Sequence, residues 1–233
     1  MPPDVPAVVP RDLPTLPDLT VQADRLLHLG LLTDAAAPAP DALRSAAVRL
    51  AQNAPPGSLL VVHPRHLPPS TLAGHLVRTV RTRGGEVERR GFVVEDFTDV
   101  DRLEVPSHVH LPAADVYAVA DLDRGDHLTN ASPDEAESAL AVAGRSPLTL
   151  VEGMQWVLQA PDVLQPGHCF MTIGSRPRKP DGTFDARTPA LWISRGTGRD
   201  GAGRRGAAKV GWCWWRNRHT WLGFASATRR TDV

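Results

Sequence analysis

A thiol, an imidazole and two carboxylates have the residue types of a nucleophilic catalytic site. Cys213 and His219 flank a predicted turn, and a hairpin closed at residues 216–218 would bring them within reach of each other across its strands. Asp121 and Asp123 are two positions apart at the end of a predicted strand, so both side chains lie on one face. A thiolate and an imidazole oriented by one of these carboxylates would form a nucleophile, base and acid set.

Three of these four candidate catalytic residues also have an ordinary structural explanation. Cys213 lies among tryptophans, and a buried cysteine is usually inert packing. Asp121 or Asp123 would pair with Arg124 or with an arginine nearer the C-terminus, although paired carboxylates also suit a divalent cation. The histidines and cysteines lack the CxxC or HxxxH spacing of a zinc site, so we predict no metal site and no particular cofactor.

Residues 189–226 contain five of the six tryptophans, and several arginines lie among them. Indole rings beside guanidinium groups suit the stacking of a flat ligand and the binding of its anionic group. The residues predicted to bind such a ligand are Arg195, Trp215, Arg216, Asn217 and Arg218. Alternating tryptophans also build the core of a sheet, and that explanation suits Trp192, Trp212 and Trp221 better.

The predicted site therefore has three parts. They are the turn at 216–219, the glycine-rich loop at 195–208 and the strand end at Asp121 and Asp123. Residues 194–198, at the start of this loop, would also suit an anion if their backbone N–H groups converge. A site exists there if the three parts meet in space, and otherwise the segment is mainly core.

The elements that must position these residues change in type along the chain. Proline-rich residues 1–18 predict a flexible arm, residues 19–95 a helical and βαβ-like N-terminal part, and residues 96–233 an α+β domain with the tryptophans. The fold class is α+β, with a helix-rich N-terminal part and a mostly antiparallel C-terminal sheet. Predicted helices cover 18–30, 41–53, 70–83, 132–144 and 149–158, and predicted strands cover 58–63, 86–94, 116–123, 169–175, 190–194, 209–215 and 220–228. Ser132 with Glu135, and Thr149 with Glu152, predict capping boxes at the starts of the last two helices.

Composition places the chain among ordinary globular proteins. Of its 233 residues, 42% are hydrophobic and 22% charged, and no apolar run approaches the ~18 residues typical of a bilayer-spanning helix. The first residues lack a secretory signal, and two cysteines are too few for a disulfide framework. We therefore expect a cytoplasmic protein with reduced thiols and no membrane partner.

Charge is unevenly distributed, although the net charge is zero. Residues 174–233 contain thirteen Arg or Lys against four Asp, so this quarter carries a charge of +9 and the remainder −9. Such an asymmetry marks either a surface for anions or nucleic acid, or a basic part that the acidic part of the same chain neutralises. Both explanations remain open at this point.

A string of motifs resembles an actinobacterial family known only as a domain of unknown function (DUF5701-like). The motifs are Tyr117–Gly125, Gly144–Gly153, Cys169–Arg176, Pro189–Ser194, Gly211–Trp214 and Asn217–Gly223. The resemblance covers about residues 100–230 and implies an actinobacterial cytosolic protein, but it implies no activity. The longer loop at 196–208 and the pair Trp215–Arg216 depart from the family's pattern.

Three functions are compatible with these features. The first is a protein that binds or acts on a small anionic, nucleotide-like or acyl ligand at the tryptophan- and arginine-rich site. The second is association with nucleic acid or the ribosome through the basic C-terminal quarter. The third is a structural module in which Trp215 and Arg216 form an oligomer contact. The sequence does not decide whether the protein is an enzyme, nor its oligomeric state.

Overall fold

The computed structural model of the chain describes residues 13–33 and 35–233. It confirms an α+β fold. The helices are α1 (Leu19–His28), α2 (Pro40–Ala51), α3 (Pro69–Ala73), α4 (Pro133–Val142) and α5 (Leu150–Gln159). The strands are β1 (Leu59–Val62), β2 (Val77–Thr82), β3 (Gly85–Arg90), β4 (Phe92–Val93), β5 (Val116–Ala120), β6 (Ser146–Pro147), β7 (Cys169–Met171), β8 (Arg187–Ile193), β9 (Ala208–Trp214), β10 (Leu222–Phe224), β11 (Ser226–Ala227) and β12 (Arg229–Thr231).

Two sheets of three and five strands form the framework of the fold. The smaller sheet has the order β1-β5-β12 and is antiparallel. The larger has the order β10-β7-β8-β9-β4, with antiparallel pairing at its centre and parallel pairing at both edges. Two-stranded pairs β2-β3 and β11-β6 complete the pattern.

Helix α5 lies between the two sheets, and all ten of its residues are buried. On one side, the amide of Gln155 bonds both backbone groups of Val62 in β1, at 2.9 and 2.8 Å. On the other, Gly153 leaves room for Thr172 and Phe170 of the larger sheet. A helix covered on both sides must be apolar around its circumference, and the core here is continuous from Leu16 to Ala227.

The two predicted capping boxes are confirmed. Ser132 and Glu135 close the N-terminus of α4 reciprocally, and Thr149 and Glu152 do the same for α5. The Glu152 carboxylate is fully buried. It also accepts hydrogen bonds from Tyr117 and from Arg230, whose Nε lies 2.6 Å away. The cap thus anchors the central helix to both β5 and β12.

The helix predicted over 70–83 is wrong beyond Ala73. Residues 77–90 instead form the β2-β3 hairpin, which turns at Arg83 and Gly84, and Gly85 begins β3 with φ 110°. The apolar residues Leu72, Leu76, Val77 and Val80 have helical spacing, whereas the β-branched residues of β2 favour the strand. Strands β1 and β2 lie in different sheets, so this piece is not a βαβ unit.

The hairpin predicted between the last long strands is also wrong. Strand β9 pairs with β8 and β4, whereas β10 lies at the opposite edge and pairs in parallel with β7. The chain from Trp215 to Trp221 therefore crosses the sheet from β9, next to one edge, to β10 at the opposite edge. Local turn signals between two strands do not reveal that a non-local partner already occupies the pairing edge.

The predicted arm lies outside the described residues up to position 12. Within the rest of it, Leu16 is buried in the core, and the Pro17 carbonyl accepts a 2.7 Å hydrogen bond from Gln22. No helix in the described ranges is both long and apolar enough to cross a membrane. The predicted domain division between residues 95 and 96 stays a prediction. The buried core includes residues on both sides of it.

Candidate functional site

A cavity of about 430 Å³ opens on one face of the larger sheet. Its floor is a row across three strands, because the β7–β8 register places Cys169 beside Trp192, and Trp192 is paired with Lys209. Cross-strand partners project to the same face. Trp221, just before β10, and Arg195, just after β8, complete the surface. We call this cavity the indole groove.

Two half-buried tryptophans form the apolar walls of the indole groove. The rings of Trp192 and Trp221 are 6.1 Å apart and nearly perpendicular, at 77°. The Trp192 indole lies on Gly211, where an added Cβ would overlap its six-membered ring. The prediction that Trp192 and Trp221 belong to the core therefore needs correction, since both expose part of their rings to the cavity.

A buried ion pair forms the polar wall. The Lys209 Nζ lies 2.8 and 2.9 Å from the two carboxylate oxygens of Asp200, and the Ser194 hydroxyl donates to the same carboxylate at 2.8 Å. Burial alone would raise the pKa of Asp200, but these hydrogen bonds outweigh burial and hold the pKa below its usual value. Asp200 therefore stays ionised at neutral pH and neutralises the charge of the Lys209 ammonium group.

Arg195 is the cation of the groove that the fold leaves unused. It is exposed and lines the cavity, and its guanidinium has no hydrogen bond or ion pair to any described residue. Gly196, with φ 67°, directs the chain away after it, and a Cβ there would collide with Arg205. A guanidinium with five free N–H donors beside indole rings is suited to a carboxylate or phosphate.

Arg78 of the β2-β3 hairpin joins the two loops around the groove. Its Nη1 donates to the Gly206 carbonyl at 2.9 Å and its Nη2 to the Leu164 carbonyl at 3.2 Å. Burial lowers the pKa of this arginine below its ordinary value. The segment after Leu164 supplies Pro166 and Gly167 at the rim, so one side chain fixes the spacing of both walls.

A smaller cavity of about 110 Å³ adjoins the groove and shares the Lys209–Asp200 pair with it. Here the Arg204 guanidinium lies over the Phe92 ring, 4.3 Å from its centroid. Such stacking orients the cation without a carboxylate partner. The ion pair thus forms a partition between two compartments.

The predicted ligand residues in the tail turn, which we define as residues 215–218, do not line the groove. Trp215 covers Arg176, with the guanidinium 3.8 Å from its ring, and its indole N–H lies 3.3 Å from Asp134. Arg218 pairs with Glu135 at the N-terminus of α4. Arg216 and Asn217 are exposed. The structure therefore separates these four residues from Arg195.

Cys213 and His219 are not opposite each other, because the hairpin that would join them is absent. Cys213 pairs in register with Thr188 of β8, and burial raises the pKa of its thiol to about 11. Burial raises the pKa of Cys169 in the groove floor to about 11 as well. Both thiols are therefore protonated at neutral pH, which is the less nucleophilic form.

His219 is the predicted catalytic residue nearest to the groove. Its ring lies 5.5 Å from that of Trp221, and its carbonyl accepts a 2.8 Å hydrogen bond from the Asn130 backbone N–H. Burial lowers the pKa of the imidazole, and its Nε2 is enclosed without a partner among the described residues. The neutral ring packs against the back of one groove wall.

Asp121 and Asp123 are occupied by structural contacts at the end of β5. Asp121, with φ 55°, pairs with Arg145 at 2.8 Å. Asp123 accepts a 2.7 Å hydrogen bond from the Gly125 backbone N–H, as in an Asx turn. Within residues 13–33 and 35–233, no group of three or more side chains has the arrangement of a metal site.

Among the described residues, five ion pairs join the basic C-terminal quarter to acidic residues earlier in the chain. They are Arg178–Glu104, Arg187–Asp99, Arg199–Asp96, Arg218–Glu135 and Arg230–Glu152. The two opposite charges that the sequence showed therefore meet within the molecule. Arg195 is distinctive because it faces a cavity and lacks such a partner.

Sequence reasoning missed Ser194, Asp200 and Lys209. The usable signal was the alternation of β8 and β9, which places Trp192 and Lys209 on one face once the two strands are paired. The pairing partner of β9 was assigned wrongly, so this signal was not used.

Comparison with known proteins adds a family and no activity. No curated protein and no solved structure matches the chain. The model of a family of unknown function, DUF5701, matches residues 25–233. The match covers nearly all of the part that the structure describes, and the chain belongs to this family of unknown function.

Proposed function

We propose that the protein binds a small anionic ligand with a flat aromatic or acyl part in the indole groove. The cavity of about 430 Å³ has the size of ordinary small-molecule sites, which span roughly 300–1,000 Å³. The two indoles, which contact each other edge to face, together supply apolar surface for the ligand. The same groove offers hydrogen-bond donors for its charged end.

The observation that carries this proposal is the free guanidinium of Arg195. Several arginines elsewhere in the chain are held by carboxylates, as Arg178, Arg187 and Arg230 are. Arg195 instead borders an aromatic cavity without a partner. Charge-assisted bonds from such a group to a carboxylate or phosphate contribute about 1.5–3 kcal/mol each.

We propose ligand binding alone, without a chemical reaction. His219 lies beside the groove wall, but Cys213, Asp121 and Asp123 have the structural contacts described above. The catalytic set that the sequence indicated stays a prediction. Of these four residues, His219 contacts a wall of the groove through its ring contact with Trp221.

The test is a ligand screen with two readouts. Thermal shift and tryptophan fluorescence are measured with AMP, ADP, acetyl-CoA and octanoate as probes. We expect at least one probe to raise the melting temperature and to change the fluorescence, since Trp192 and Trp221 line the groove. A well-folded sample that responds to none of the four probes would contradict the proposal.

A matched pair of variants locates the binding site. Arg195→Gln should weaken binding by about tenfold or more, the range expected for loss of one charge-assisted contact. Arg216→Gln removes another exposed arginine that has no recorded partner and lines no described cavity, so it should leave affinity unchanged. Equal effects of both variants would show nonspecific attraction.

Nucleic-acid association and an oligomer contact remain alternative predictions. Internal ion pairing reduces the basic surface available to nucleic acid, and Trp215 already packs against Arg176. Salt-sensitive retention on heparin would favour the first alternative. A change of oligomeric state in Trp215→Ala, measured by light scattering, would favour the second.

We also propose a cytoplasmic location and an actinobacterial origin. Both cysteines are free thiols, which suits a reducing compartment. The strong preference for arginine, with 24 Arg against two Lys, is typical of a GC-rich bacterial genome. Fractionation of a native host, followed by detection of the protein, would test the location.

A further inference from the structure

One carboxylate of the protein already occupies an anion position in the indole groove. Asp200 receives three hydrogen bonds of 2.8–2.9 Å, two from Lys209 and one from Ser194. The side chains of Lys209 and Asp200 are only 18% and 12% exposed. The hydrogen-bond donors that contact Asp200 therefore form a site that can bind an oxygen of a carboxylate or phosphate.

The segment that carries Asp200 is weakly held by its own backbone. It is a single turn, Gly198–Asp200, between Gly198 with φ 58° and Gly201 with φ 72°. Its turn hydrogen bonds, from Asp200 to Thr197 and from Gly201 to Gly198, are long at 3.3 Å. Gly198 and Gly201 have nothing within 4 Å of the position of a Cβ.

The flanks of this turn are better anchored. Ser194 exchanges backbone bonds with Ala207 and Gly206 at 2.9 and 2.8 Å, and Arg78 holds the Gly206 carbonyl. The Asp200 turn can therefore swing between two fixed ends without disturbing the sheet. Flexible glycines on both sides are the usual means of such a local movement.

The two cations of the groove differ in availability. Arg195 is free, whereas Lys209 becomes free only when Asp200 leaves it. A ligand with one anionic group binds Arg195 and leaves the Lys209–Asp200 pair intact. Separating that pair without a replacement anion would leave an uncompensated charge. A second anionic group on the ligand would replace the Asp200 carboxylate and preserve the charge balance.

We propose that Asp200 is a specificity-determining residue whose carboxylate is displaced from Lys209 and Ser194 by a second anionic group of the ligand. This inference rests on the proposed function and names the ligand class, an aromatic compound with two anionic groups. Asp200 disfavours ligands with only one. The released carboxylate moves toward solvent with its turn, where Arg199 and Arg204 lie close in the chain.

Two pairs of probes test the proposal, each with one and two anionic groups: AMP with ADP, and benzoate with isophthalate. Affinities are measured by tryptophan fluorescence and calorimetry at constant ionic strength. Wild-type protein should bind the two-group member of a pair about tenfold more tightly, the value of one charge-assisted contact. Asp200→Asn should tighten binding of both members, because Lys209 is then available without displacement of a carboxylate.

Further variants separate the role of Asp200 from other effects on binding. The double variant Asp200→Asn/Lys209→Met removes both charges, and should bind one-group probes like wild type while losing the preference for two-group probes. Glu88→Gln, an exposed acid of the β2-β3 hairpin, controls for the change of net charge and should bind like wild type. Asp200→Ser replaces Asp200→Asn if the latter fails to fold.

Failure of this inference is distinguishable from failure of the proposed function. If wild type binds a probe but Asp200→Asn shows no gain for one-group probes, Asp200 is not displaced and the groove still binds ligand. Loss of affinity in Asp200→Asn would equally overturn the inference. If no probe binds either protein, both proposals are wrong. Binding of a one-group probe only by Asp200→Asn would support the inference most strongly.

Discussion

The indole groove and the tail turn contain the same kinds of residue and differ in what those residues contact. In the tail turn, Trp215 covers Arg176 and Arg218 is paired with Glu135. In the groove, Trp192 and Trp221 border open space, and Arg195 has no partner among the described residues. Tryptophan and arginine close the surface in one region and leave a cavity in the other.

The comparison teaches that partners, rather than residue types, distinguish a binding site from a structural contact. An arginine between an indole and a carboxylate has its donors satisfied and its charge neutralised. An arginine at a concave aromatic surface retains its full capacity to bind an anion. Substitutions in the two regions should therefore differ in their effect on ligand binding.

Arg78→Met should have the largest effect, because it breaks the connection between the two groove loops. The carbonyls of Gly206 and Leu164 would lose charged donors, at a cost of about 3 kcal/mol. At roughly 2–4 °C per kcal/mol for a chain of this size, the melting temperature should fall by roughly 6–12 °C. Calorimetry measures the loss, and probe affinity should fall with it.

Arg81→Met is the matched control for this variant. Arg81 lies on the same strand, but its side chain is 86% exposed and its ion pair with Glu86 is long, at 3.5 Å. We expect a change within about 0.5 kcal/mol, as for other surface pairs. If the two variants were equally stable, Arg78 would not support the groove. Arg78→Lys should recover only part of the loss, since one ammonium does not have the fork of a guanidinium.

Gly211→Ala should deform the groove from its floor. The added methyl group would overlap the Trp192 ring, and overpacking of this kind costs about 1–3 kcal/mol. We expect a shifted tryptophan emission and weaker probe binding. Gly203→Ala is the control, because Gly203 has free space around the position of a Cβ. Unchanged emission in Gly211→Ala would mean that Trp192 does not rest on this glycine.

Arg218→Gln should affect stability only slightly and ligand binding not at all. Arg218 is half exposed where it pairs with Glu135, and such pairs contribute about 0–1 kcal/mol. The measurement is urea unfolding together with titration of the best probe. A tenfold loss of affinity would show that the tail turn belongs to the binding site, and the distinction between the two regions would then disappear.

The sequence predicted local features of the fold better than long-range ones. Caps at Ser132 and Thr149 follow from residues three positions apart and are confirmed. The partner of β9 depends on β8, which lies across a loop, and no turn signal specifies it. The apolar residues at 72, 76, 77 and 80 have helical spacing, so the sequence predicts a helix where the β2-β3 hairpin forms.

The candidate site was predictable to the extent that it depends on single residues. Arg195 was singled out by its place between tryptophans and a glycine-rich loop, and the structure puts it at a cavity. The sequence does not indicate Lys209 and Asp200 as site residues, because their role depends on the ion pair between them and on the pairing of β8 with β9. Trp215 and Arg218 were grouped with Arg195 because sequence proximity does not show which side chains are already paired.

The smallest effect concerns His219, which contacts the groove wall from behind. Burial lowers the pKa of its imidazole in the folded protein, so the unfolded chain binds the proton more tightly. Stability should therefore be lost as pH falls through the unfolded value of about 6.5 and level off below the folded pKa. His63 behaves alike, because burial first, and then Arg65 and His66, lower its pKa.

Urea unfolding between pH 8 and pH 5.5 isolates these histidines from the carboxylates, which titrate lower. His219→Gln should flatten part of the slope of stability against pH, and the double variant with His63→Gln should flatten it further. A slope unchanged in both variants would contradict the burial of the neutral rings. If His219→Gln alone also left probe affinity unchanged, His219 would support the Trp221 wall without contacting the ligand, which would place the boundary of the groove at Trp221.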